Sequence, residues 1–155
     1  MKTFLSALLV ASNFAYAHSR FIAASCNLGD SSDELSAGTL YFKDVSNARK
    51  DKTKVDGSLT LDAASLVFGG RLAITSSSDA GADCSAPGTV KYEPIRSIEF
   101  DENDEAVIGG IGHFSLDDVM HGDMNDNVTL YDEMDVPYAC CMLTTMTQEE
   151  YEAAV

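Results

Sequence analysis

The sequence predicts an all-β domain, a sandwich or barrel of short antiparallel strands that ends in a short helix. Two observations carry this. Short runs alternate apolar and polar residues with the period of a half-buried strand, and clusters of Gly, Asp, Asn and Ser punctuate them at the spacing of a sandwich or barrel. Helical spacing is nearly absent until the last residues, where Thr147-Gln148-Glu149-Glu150 has the pattern of a capping box.

In chain order, the strand-like runs are Gly38–Phe42, Val55–Leu61, Arg71–Thr75, Arg96–Phe100, Val128–Asp132 and Tyr138–Leu143. Each is short and rich in β-branched, aromatic or alternating residues, which suit a pleated surface with one buried face. The acidic stretch Asp101–Glu105 separates two such runs and predicts a hairpin tip, and Gly122–Asn127 predicts a turn. The terminal helix is expected to start at Thr147. No internal repeat, linker or second domain is visible.

The first seventeen residues have a different organisation. Lys2 is their only charge, an apolar run follows from Phe4 to Ala11, and Ala15-Tyr16-Ala17 is a small-x-small sequence. A basic start, a short apolar core and such a site describe a secretory signal peptide, residues 1–17. Cleavage after Ala17 leaves 138 of the 155 residues, beginning at His18. That length suits one domain with one core, over residues 18–145, followed by a short helical or flexible tail, 146–155.

Charge narrows the partners. The whole chain carries −15; Lys2 leaves with the signal, so nine basic residues face twenty-five acidic ones and the balance becomes −16. Such a surface repels nucleic acid and anionic membranes. The sequence carries no second apolar segment of membrane-spanning length and no apolar C-terminal tail for a lipid anchor. A secreted, extracellular protein is expected, with an extracellular protein or a surface as its partner.

Most familiar chemistry finds no support. Read as a calcium loop from Asp101, the sixth residue is Ala106 and the twelfth is Gly112, where an EF-hand needs Gly and Glu. No Gly-x-Ser-x-Gly elbow and no phosphate-binding glycine loop appears. Three histidines exist, His18, His113 and His121. A mature N-terminal His18 can chelate copper through its amine and imidazole, with His113 or His121 as the second ligand, so copper is the alternative to having no cofactor. Asn127-Val128-Thr129 is a glycosylation sequon.

Cys26, Cys84, Cys140 and Cys141 form an even set behind a secretory signal, for which disulfides are the expectation. Zinc-type C-x2-C spacing is missing. Cys140 and Cys141 adjoin in a strand, so their side chains point to opposite faces and seek different partners. The two connectivities that join them to Cys26 and Cys84 are favoured over a strained vicinal bridge.

The order of motifs resembles a copper/zinc superoxide dismutase domain from about Phe21 to Leu143. "ASCNLGD" and "AGTLYF" resemble the family's first two strands, and "VDGSLTL" the third. "RLAIT" falls where the family has F-H-V-H, and "DCSAPGTVKYEP" resembles its cysteine segment. "IRSIEFDENDEAVIGGIGHFSLDDV" resembles the following hairpin and strand. "NVTLYDEMD" sits at V-V-H-E, and "ACCML" at the terminal A-C-G-V-I. The resemblance implies a Greek-key β-barrel of about eight antiparallel strands. It implies a Cys84–Cys140 disulfide, worth about 4 kcal/mol in the chain-entropy model. Cys26, in the first strand, is then within reach of Cys141, which stands where the family has glycine. Members often pair through barrel faces, so a homodimer is an expectation of the resemblance.

The departures bear on function. The family's first two copper histidines fall on Ala73 and Thr75, and the last on Tyr131. The bridging histidine falls near Thr89 to Lys91 and the zinc aspartate near Pro94; the zinc loop is missing. Only five residues separate Tyr131 from Pro137, where the family's substrate-guiding arginine falls. Copper cycling needs several imidazoles in fixed geometry. The expectation is therefore a dismutase-like domain without catalytic residues, metal or dismutase activity, acting as a binding or interaction protein, in the manner of a host-directed effector. A divergent copper dismutase or a copper protein using His18 is the alternative, and a matrix component is a third reading that no feature favours.

Overall fold

The computed structural model describes residues 20–76, 84, 86–121 and 126–155. The expected signal peptide, residues 1–17, and His18 lie outside the described residues. Among the described residues, nine strands and two short α-helices follow one another, with one 3-10 turn at Gly29–Ser31: β1 (Ala23–Asn27), β2 (Leu35–Asp44), β3 (Thr53–Leu61), β4 (Gly69–Ser76), β5 (Val90–Glu99), β6 (Glu105–Gly112), α1 (Leu116–His121), β7 (Asp126–Tyr131), β8 (Pro137–Met142), β9 (Thr144–Met146) and α2 (Gln148–Ala154).

All strand pairings among the described residues are antiparallel. One sheet has the order β6-β3-β2-β1-β9 and the other β5-β4-β7-β8. Strands β1 to β3 form a meander. The chain then crosses to the second sheet for β4 and β5, and returns at β6 to lie beside β3. Because β5 also packs beside β6 where the sheet edges meet, β3 to β6 close a Greek-key unit. The all-β sandwich predicted from alternation is the observed fold.

Alternation explains the core. Leu40 and Phe42 on β2, Val55 and Leu59 on β3, Leu72 and Ile74 on β4, and Val128 and Leu130 on β7 are fully buried between the sheets. Burying each such side chain stabilises the fold by about 1.5–3 kcal/mol before entropy is counted. The acidic hairpin tip is observed between β5 and β6. Asp101 builds it by accepting hydrogen bonds from the backbone N–H of Asn103 (2.8 Å) and Glu105 (3.0 Å).

The terminal helix starts where the capping box placed it. Thr147 Oγ1 accepts from the Glu150 N–H, and the Glu150 carboxylate accepts from the Thr147 N–H at 2.7 Å. Helix α2 docks through Tyr151, whose ring meets Phe21 edge-on at 6.0 Å while the Lys43 ammonium sits over both rings.

Two expectations need correction. Helix α1 was not anticipated; Ser115 Oγ accepts from the Asp118 N–H, and Leu116 and Val119 anchor the helix in the core. Strand β7 begins at Asp126, so the end of the expected turn at Gly122–Asn127 is strand. Asn127 lies inside that strand, 3% exposed, between β4 and β8.

Both disulfides join the favoured partners: Cys84 with Cys140, and Cys26 with Cys141. Their Cα atoms are 5.4 and 5.7 Å apart, respectively, a normal span for a bridge. Cys26 and Cys141 belong to the core and fasten one sheet to the other. Cys140 points to the opposite face of its sheet.

Candidate functional site

The outward face of the second sheet gathers the positions of interest. On β4, Leu72 and Ile74 enter the core, so Arg71, Ala73 and Thr75 alternate onto the other face. On β7 the same rule places Tyr131, Thr129 and Asn127 opposite them, in that order. Cys140 on β8 stands beside Thr129 and is bonded to Cys84. This face is covered: Ala73, Thr75 and Thr129 are fully buried, and Tyr131, Asn127 and Cys140 nearly so. Gly70 lets β4 approach β7 closely, since a side chain there would collide with the Tyr131 carbonyl and its φ is +147°.

The polar groups on the face serve one another. Thr75 Oγ1 and Thr129 Oγ1 are 3.0 Å apart, each hydroxyl with the other as partner. The Arg71 guanidinium lies over the Tyr131 ring, 4.3 Å from its centroid, a cation–π contact. It donates to Glu93 at 2.8 Å and Asp135 at 3.0 Å, so its charge is neutralised locally. Burial raises the Tyr131 phenol above its ordinary range, against a smaller opposing effect of Arg71. Where the resemblance places a bridging histidine, Lys91 Nζ instead donates to both oxygens of buried Asp126, at 2.7 and 3.0 Å.

These residues do not fit copper. Ala73 has no donor atom, the Thr75 hydroxyl is engaged, and a phenol held protonated is a poor ligand. No imidazole projects from the described part of the face.

The two described histidines lie elsewhere. His113 follows β6, is exposed, and lines a cleft of about 540 Å³ with Lys91 and Arg96. In that cleft the Tyr92 and Phe114 rings stack at 5.1 Å. His121 ends α1, with Nδ1 3.1 Å from the Asp117 carboxylate. Among the described residues, no three His, Cys, Asp or Glu side chains converge as a metal site.

The resemblance assigns its copper positions to Ala73, Thr75 and Tyr131, and the structure brings these three residues onto one face. Sequence reasoning missed Thr129 and Arg71, although both follow from alternation once β4 is paired with β7. It also missed that the turns before β4 and between β7 and β8 expose Leu66, Phe68 and Met134. The available signal was large apolar residues inside segments whose Asp, Ser and Gly content marks them as turns.

A scan against protein-family models finds no match to this chain, and no curated protein matches it.

Proposed function

We propose that the protein is a secreted, disulfide-stapled, superoxide dismutase-like barrel that has lost metal binding and dismutase activity and acts by binding an extracellular or surface partner. The observation that carries this reading is the face of β4 and β7. The positions at which the resemblance implies copper histidines hold alanine, a threonine committed to another threonine, and a buried tyrosine. The Greek-key strand order and the Cys84–Cys140 bridge support the kinship. Two disulfides are compatible with an oxidising compartment. No described helix is long and apolar enough to cross a membrane.

The test uses the mature protein loaded with copper(II), with bound metal and superoxide decay measured together. The expected result is weak, substoichiometric copper and decay no faster than with a matched inert protein. One tightly held copper per chain with fast, cyanide-sensitive decay overturns the reading.

A further inference from the structure

One end of the sandwich presents apolar side chains to water. The β3–β4 connection exposes Leu66 (81%) and Phe68 (79%), and the β7–β8 turn exposes Met134 (80%) and Val136 (51%). Two adjoining hollows, of about 270 and 490 Å³, share Leu66, Val67, Asp132 and Met134. Exposed apolar side chains grouped in this way mark interaction sites more often than those scattered singly.

The patch is held in place. Glu34 accepts a hydrogen bond from the Leu66 N–H at 3.2 Å, and Ser65 Oγ one from the Val67 N–H at 3.1 Å. Asp132 Oδ1 accepts from the N–H groups of both Met134 and Val136, each at 2.8 Å. Both loops therefore hold their apolar residues outward before any partner arrives, which lowers the ordering cost of binding.

Its rim is acidic. Asp33, Glu34, Asp132 and Glu133 line the hollows, no basic side chain does, and none of the four joins an ion pair among the described residues. The buried hydroxyl of Tyr138, which lines the larger hollow, has no hydrogen-bond partner among the described residues.

We infer that this end of the molecule is a docking site for a cationic amphipathic peptide segment, one with apolar anchors flanked by Lys or Arg. Phe68, Leu66 and Met134 supply the apolar contact, and the unpaired carboxylates select the charge. A second copy is a poor occupant because it would set two acidic rims against each other, each on a chain of −15 before processing. An anionic membrane is repelled in the same way. This inference rests on the binding reading above and names the partner chemistry for it.

The probe is a synthetic leucine–lysine amphipathic helix of about fourteen residues. An all-lysine peptide and a leucine–glutamate helix of the same length are the comparisons. Binding to the mature, disulfide-intact protein is read by fluorescence anisotropy and hydrogen exchange. The expected result is saturable one-to-one binding of the leucine–lysine helix with protection over residues 64–68 and 132–136. Phe68→Ser with Met134→Ser weakens it about tenfold or more. Asp33→Lys with Glu133→Lys weakens it and flattens its salt dependence. Both variants change exposed positions, so near-ultraviolet circular dichroism should stay unchanged. Absence of binding, equal binding by the Phe68/Met134 variant, or equal affinity for the all-lysine peptide overturns the inference. So does a protein dimer abolished by the same variant. Copper-dependent dismutation would overturn the non-catalytic reading and leave this measurement standing, whereas failure of the peptide measurement removes the docking site alone.

Discussion

The hydroxyls of Thr75 and Thr129 are buried against each other, 3.0 Å apart. A buried hydroxyl that loses its partner carries its desolvation cost uncompensated, about 1–3 kcal/mol, whereas replacing both partners by apolar groups of the same shape is nearly neutral. Thr75→Val alone should therefore destabilise the fold by about 2 kcal/mol, and Thr75→Val with Thr129→Val by less than the single change. Denaturant unfolding of the two single variants and the double variant measures the coupling. Additive losses would show that the hydroxyls do not depend on each other. Ala73, Thr75 and Thr129 at the centre of this face are buried and uncharged, and Arg71 at one end is held by two carboxylates.

At the scale of elements, two acidic side chains set a pH dependence. Backbone hydrogen bonds from Thr147 hold the Glu150 carboxyl below its ordinary value, and those from Glu105 and Asn103 do the same for Asp101. A lowered folded value favours the charged form in the folded state. Its contribution is present above the ordinary carboxylate range and is lost as pH falls through the lowered value. Helix α2 and the β5–β6 hairpin should then fray on acidification while the central strands persist. Amide exchange at about pH 3 compared with pH 6 checks this, and Glu150→Gln should remove most of the difference in α2.

The same elements show what a sequence exposes to inspection. The strands around Leu40, Leu59, Ile74 and Leu130 were legible because a period of two survives in composition, and α2 was legible because its cap is local. Helix α1 has six residues and β9 three. Neither is stable without the tertiary contacts of Leu116, Val119 and β1, so local pattern could not announce them. The site was half legible. The resemblance pointed to Ala73 and Thr75, but Arg71 over Tyr131 required the register of β4 against β7. The exposed patch was harder to read because Leu66, Phe68 and Met134 are residue types normally spent on a core, and only their place in turn-like segments marks them.

For the whole molecule, the outstanding feature is where its two bridges fall. Cys26 lies in the first strand and Cys141 in the eighth, 115 residues apart in sequence, and Cys84–Cys140 spans 56 residues within that interval. A single proteolytic cut anywhere between residues 26 and 141 would therefore produce two peptides that stay joined. A cut between residues 84 and 140 would leave them joined twice. Limited digestion should give a species of undiminished size on a non-reducing gel that separates into fragments only after thiol treatment. Release of a fragment from that interval without reductant, after one cut, would contradict the pairing. Outside a cell, where proteases are common and reductants scarce, such a chain can be nicked and still diffuse as one particle, its surface loops altered and its two sheets still fastened together.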